Sequence, residues 1–204
     1  MSKNPPAWFT PALAARRPRA IIVAGSAGGV EALVTLLSSV PSELHIPVIC
    51  MLHLPANRDS RLAELFGERL PVPVQEALDK GPIAGGTVYF AGSGYHLSVE
   101  QNRSFSLSCE APVHFARPAI DVLMTSAADA YGGELAAILL TGANQDGAAG
   151  MAYVHARGGL TVVQDPRDAF VATMPQAAIA ACQPDLVLPL AAIRELLQLL
   201  LEKK

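Results

Sequence analysis

The stretch Ala20 to Gly29, AIIVAGSAGG, constrains the fold more than any other part of the chain. Ile21, Ile22 and Val23 suit a strand covered on both faces, and Gly25, Gly28 and Gly29 mark a sharp reversal. A helical pattern follows from Val30 to Ser39, with Ala32, Leu33, Leu36 and Leu37 on one face and Pro41 closing it. Strand, tight turn and helix in that order belong to open α/β sheets, whose carboxyl strand ends are where ligands bind. One polar side chain, Ser26, is carried into that turn, where it is expected to be exposed.

The rest of the chain repeats the theme. Pro47 to Leu52 reads as a second buried strand, ending at His53, Leu54 and Pro55. Leu62, Leu65, Phe66 and Leu70 make a helical stripe, and Val72 to Leu78 reads as extended. From Gly81 to Cys109 glycines, serines and short alternating runs dominate: Thr87 to Phe90, His96 to Val99 and Phe105 to Leu107. This is expected to be an antiparallel hairpin region inserted in the α/β frame. Pro118 then suits a helix start, with Ile120, Leu123, Met124, Ala127 and Tyr131 on one face. Leu135 to Leu140 is a further buried strand running into Thr141 to Gly147, followed by a helix over Ala148 to Ala156. A strand at Leu160 to Val163, a helix at Met174 to Ala181, a short strand at Leu186 to Leu188 and a closing helix carrying Leu190, Ile193, Leu197 and Leu200 complete the chain. The expected fold is α/β, a doubly wound, largely parallel sheet with helices on both faces plus the antiparallel insertion.

Composition excludes several classes. With 204 residues, 51% of them hydrophobic, the chain can bury one sizeable core. Residues 1–19, rich in proline and arginine, are expected to be an irregular lead-in or linker to a single domain spanning 20–204. The 15 basic and 18 acidic residues show no dense basic stripe, which argues against nucleic acid. Arg16, Arg17 and Arg19 read as a solvated edge. Cys50, Cys109 and Cys182 are too scattered for a metal site and read as reduced thiols of a cytoplasmic protein. His45, His96, His114 and His155 likewise show no ligand spacing, so neither metal nor cofactor is expected. No apolar run reaches membrane-spanning length.

Three polar groups fall at the ends of three different strands: Ser26, His53 and Asp146. Their types match a nucleophile, a general base and a carboxylate that orients the base. A neutral hydroxyl is a poor nucleophile, so an imidazole must take its proton as it attacks. Backbone N–H groups near Ala27 and in the 141–147 loop are candidate donors to an oxyanion. Each residue also has a plainer reading. Ser26 can be a turn former or phosphate contact, His53 structural, and Asp146 the cap of the following helix. A dinucleotide or phosphate loop is poorly supported, because Gly25, Gly28 and Gly29 fit neither motif. Arg117 can hold a substrate carboxylate or a loop, with Asp121 expected to pair with it across a helix turn.

With these residues in place, the chain resembles the catalytic domain of the chemotaxis protein-glutamate methylesterases, the CheB family, from about Ala20 to Leu201. Ala24-Gly25-Ser26-Ala27-Gly28-Gly29 stands where the family has Gly-Ala-Ser-Thr-Gly-Gly, and Leu52-His53-Leu54-Pro55 where it has Gln-His-Met-Pro. Leu140 to Met151, LTGANQDGAAGM, stands where it has Leu-Thr-Gly-Met-Gly-x-Asp-Gly-Ala-x-Gly-Met. Arg117 to Leu123 and Met174-Pro175 also match. The resemblance implies a Ser26-His53-Asp146 triad, with an oxyanion donor from the backbone of Ala143 beside that of Ala27. It implies hydrolysis of γ-glutamyl methyl esters on cytoplasmic helices of chemoreceptors, releasing methanol, with glutamine deamidation as a related activity and no cofactor or membrane insertion. Family members commonly carry a phosphorylatable receiver domain, which residues 1–19 are too few to form, so a separate regulatory protein is a candidate partner. Ala27, Leu52 and Ala143-Asn144 depart from the family pattern. They leave open a related esterase or amidase with another substrate, or a non-catalytic module that binds receptor helices.

Overall fold

A computed structural model describes residues 6–53 and 60–202. Its centre is a seven-stranded sheet, parallel throughout. The strands are β1 (Ala20–Gly25), β2 (Val48–Leu52), β3 (Val74–Glu76), β4 (Val88–Phe90), β7 (Leu135–Leu139), β8 (Leu160–Gln164) and β9 (Leu186–Leu188). Their spatial order is β3-β4-β2-β1-β7-β8-β9. A separate antiparallel pair, β5 (His96–Val99) and β6 (Phe105–Ser108), stands outside the sheet. The helices are α1 (Pro11–Ala15), α2 (Gly29–Leu37), α3 (Leu62–Gly67), α4 (Ile120–Tyr131), α5 (Ala148–Ala156), α6 (Thr173–Ala181) and α7 (Leu190–Leu201).

Alternation along the strands explains the two helical layers. Ile21 and Val23 of β1 point to one side, where Leu33, Leu36 and Leu37 of α2, Phe66 of α3 and Leu196, Leu197 and Leu200 of α7 cover them. Ile22 and Ala24 point to the other, where Ile120, Leu123 and Met124 of α4, Met151 of α5 and Met174 of α6 lie. A strand covered on both faces reads as an unbroken apolar run, and all six residues of β1 are apolar or glycine and all are buried. Leu97, Val99 and Phe105 bring the β5–β6 hairpin onto the α4 side of the core.

Two expectations need correction. Thr87 to Phe90 does not belong to the inserted hairpin: β4 lies inside the main sheet, parallel to β2 on one side and β3 on the other. Three apolar residues have too short a period to tell a central strand from a hairpin arm, and pairing partners decide. The lead-in is not wholly irregular, since Thr10 caps the single turn of α1 through its hydroxyl and Leu13 is buried. Arg19 N–H donates to Glu134 O at 2.7 Å, which fixes the lead-in at the amino ends of the strands.

Candidate active site

The parallel ladder runs past the strand ends and sews three loops together. Leu140 N–H donates to Ala24 O (2.8 Å), Ser26 N–H to Thr141 O (2.9 Å) and His53 N–H to Gly25 O (3.2 Å). The serine turn is thereby held between the segments leaving β2 and β7. Because the chain leaves β1 for β2 on one side and returns to β7 on the other, this is the point where the strand order reverses, the usual crevice of an open α/β sheet.

Gly28 has φ of 78° and precedes the first residue of α2, a backbone setting that a side chain would strain. Gly29 N–H donates to Ser26 O at 2.7 Å and closes the turn. The departure at Leu52 is a core feature: the side chain is 2% exposed, and its Cδ2 lies 2.6 Å from where a Cβ on Gly29 would stand. Ser26 is half-buried, and its hydroxyl makes no hydrogen bond to a described residue.

His53 and Asp146 are in direct contact, Nε2 to Oδ2 at 2.8 Å, with the carboxylate fully buried. Asp146 also accepts from Ile120 N–H (2.7 Å) and Asp121 N–H (3.0 Å), the first two amides of α4. A carboxylate at a helix N-terminus meets unpaired donors and the positive end of the helix dipole. Burial pushes the Asp146 carboxyl up, but the bonds from His53, Asp121 and Ile120 outweigh it and hold the group below its ordinary value. The helix-cap reading of Asp146 therefore applies to α4 and not to α5, which begins after Gly147 at φ 92° with no side-chain cap. Nδ1 of His53 has no hydrogen-bond partner among the described residues. Leu54 and Pro55 of the histidine motif lie outside them.

The amides of Ala27 and Ala143 donate to no acceptor among the described residues, and Ala143 is exposed. Their loops are held from beneath. Thr141 Oγ1 donates to Ala27 O (2.9 Å) and accepts from Val171 N–H (2.8 Å), and Gly142 N–H donates to Val171 O (3.1 Å). Thr141 N–H donates to Gln164 Oε1 (2.9 Å), whose amide nitrogen donates to Asp168 (2.9 Å). His96 works on the other side. Its Nδ1 accepts from Ala119 N–H (3.2 Å), so Nε2 carries the proton and donates to Ala111 O (3.1 Å). That ring, 1% exposed, secures the backbone just before the amides that grip Asp146. None of these supporting roles was legible: Thr141 and Gln164 sit at strand ends like many polar residues, and His96 lies alone in an alternating strand.

Arg117 and Asp121 are not a pair among the described residues. Arg117 donates to the carbonyls of Cys109 and Glu110, so it holds a loop, while Asp121 accepts from Gly150 N–H (2.6 Å) and lies 3.4 Å from His114 Nε2. Burial, with Asp146 nearby, raises the Asp121 carboxyl above its ordinary value. Cys50 is buried and its thiol is pushed up by burial; Cys109 is exposed. Among the described residues no cluster of three or more His, Cys, Asp or Glu could hold a metal, and no helix is long and apolar enough to cross a membrane.

Residues 21–197 match the family described as CheB methylesterase. A relative from Leptospira interrogans is 41% identical over 177 residues, covering 87% of this chain and 92% of the relative. A protein-glutamate methylesterase/protein-glutamine glutaminase of Clostridium acetobutylicum is 30% identical over 171 residues; the match covers 84% of this chain but only 50% of that longer relative. The crystal structure of the Thermotoga maritima CheB methylesterase catalytic domain superposes with a TM-score of 0.83 at 28% identity, covering 89% of this chain and 97% of that one. The chain belongs to the CheB methylesterase family.

Proposed function

We propose that residues 20–204 form a cytoplasmic catalytic domain that hydrolyses methyl esters of glutamate side chains on chemoreceptors, with Ser26, His53 and Asp146 as its triad. The observation that carries this reading is the 2.8 Å contact between His53 and a fully buried, helix-anchored Asp146, at the strand edge that also presents Ser26. With Nε2 committed to the carboxylate, Nδ1 is the nitrogen that takes the serine proton. Ser26 Oγ attacks the ester carbonyl as that proton moves to His53, and Asp146 stabilises the resulting imidazolium. The tetrahedral oxyanion is received by the N–H groups of Ala27 and Ala143. Collapse expels the methoxy group, which leaves as methanol with the proton from His53. A water molecule, deprotonated by the same nitrogen, then splits the acyl-enzyme to give glutamate and free Ser26. A glutamine side chain follows the same course with ammonia as the leaving group.

The departures from the family pattern bear on rate more than on chemistry. A backbone N–H donor survives a side-chain change, so Ala143 keeps it, and Leu52 is buried beneath the turn. The substrate is tested by methanol release from membranes carrying methylated chemoreceptors. Release in step with loss of receptor methyl groups is the expected result. Cleavage of small esters with none from several receptor types would overturn the receptor assignment and favour a related esterase.

A further inference from the structure

Two of the few large apolar side chains on the described surface are attached to the loops that build the site. Phe170 is 81% exposed and Phe115 fully so. Phe170 stands directly on the serine turn: a Cβ on Gly28 would lie 2.7 Å from the Phe170 Cβ and 3.0 Å from its ring. Its neighbour Val171 is fixed through both N–H and C=O, to Thr141 Oγ1 and Gly142 N–H. The base of Phe170 is thus anchored while most of the ring meets water. Phe115 caps a two-residue turn with His114, both left-handed (φ 61° and 49°), closed by paired bonds between Val113 and Ala116. The His114 ring reaches Asp121 Oδ2 and the Gln145 amide, each at 3.4 Å, which ties the turn to residues that flank Asp146. Phe170 thus adjoins the turn that carries Ser26, and Phe115 stands on the turn tied to the neighbours of Asp146. Left-handed backbone at residues bearing side chains costs stability, and a fully solvated phenyl ring gains none from burial.

A glutamyl side chain reaches only roughly 4 Å from Cα to its carboxyl carbon. A protein substrate that presents its ester to Ser26 must therefore bring its own surface down onto the loops around Ser26, and onto the rings these loops carry. We infer that Phe170 and Phe115 are the docking contacts for the methylated segment, seating apolar side chains on either side of the esterified glutamate. On a helical segment those neighbours lie about one turn away in each direction. This inference rests on the methylesterase reading and adds the surface that selects the substrate.

The test is steady-state methanol release from a methylated chemoreceptor cytoplasmic fragment by wild type, Phe170→Ala, Phe115→Ala and the double variant. Affinity of the same fragment is measured for each substitution placed on a Ser26→Ala background. Each alanine is expected to raise KM and weaken binding about fivefold or more with kcat changing less than about twofold, and leucine at either position to recover most of the loss. Unchanged KM and affinity, in a protein whose turnover still depends on Ser26, would overturn the docking role and leave the methylesterase reading standing. Failure of wild type to act on the receptor fragment would overturn both. If the alanines instead alter the sedimentation of the free protein while KM holds, the rings seat a second copy of this chain and the docking inference is wrong.

Discussion

Asp146 shows how one side chain can satisfy a structural and a chemical demand together. Its oxygens accept two amides of α4 and the His53 ring, so its ionised form is favoured by the same bonds that orient the imidazole. A carboxyl held below its unfolded value of about 3.9 contributes stability above that pH, and loses it as pH falls through the depressed folded value. Asp121 has the opposite sign: its raised carboxyl makes the charged form unfavourable to folding, a cost relieved as pH falls through the folded value. Asp146→Asn should leave an NH₂ group facing backbone donors. We expect it to destabilise the fold at neutral pH by about 1–3 kcal/mol, and to flatten the acid side of a stability-against-pH profile from denaturant titration. Its kcat should fall on the order of 10³- to 10⁴-fold, as when a triad carboxylate is replaced by an amide. The types and positions of Ser26, His53 and Asp146 were legible because strand-end residues of a parallel sheet meet at one edge. Which helix Asp146 caps was not, since adjacency to Gly147 suggested α5 while the amides that reach it come from α4, distant in sequence.

At the scale of elements, the buried strands were legible as unbroken apolar runs and the amphipathic helices from their period. β9 and α5 have the bounds expected from the sequence. β4 was misplaced because its three buried residues are neutral between topologies, and only pairing with β2 and β3 settles it. The α4 N-terminus is the element on which the site depends most, and His96 is its brace. His96→Leu would leave Ala119 N–H unpaired in the interior, a cost of about 1–3 kcal/mol, and would release the carbonyl of the exposed Ala111 to solvent. Because the following amides hold Asp146, we also expect kcat to fall about tenfold with KM little changed. His96→Asn, which can both accept and donate, should recover part of that rate. Equal loss of rate in the two variants would show that packing of the ring, not its hydrogen bonds, is what matters.

Across the whole molecule the sheet separates its two edges by role. The amino ends of the strands receive the lead-in, through Arg19 to Glu134 and Arg16 to Gly158. The carboxyl ends carry the serine turn, the imidazole and the 141–147 loop. Strands with buried faces make the sheet too rigid to be reshaped by what binds at its edge, so loops there can differ while Ser26, His53 and Asp146 keep their register. Ala27, Ala143 and the two exposed phenylalanines all belong to those loops. The most direct test of the account compares methanol release by wild type and Ser26→Ala on the same methylated receptor, at matched folding by circular dichroism and thermal midpoint. The variant is expected to keep the fold and to lose roughly 10⁴-fold or more of the rate. A correctly folded Ser26→Ala protein that releases methanol at the wild-type rate would contradict it.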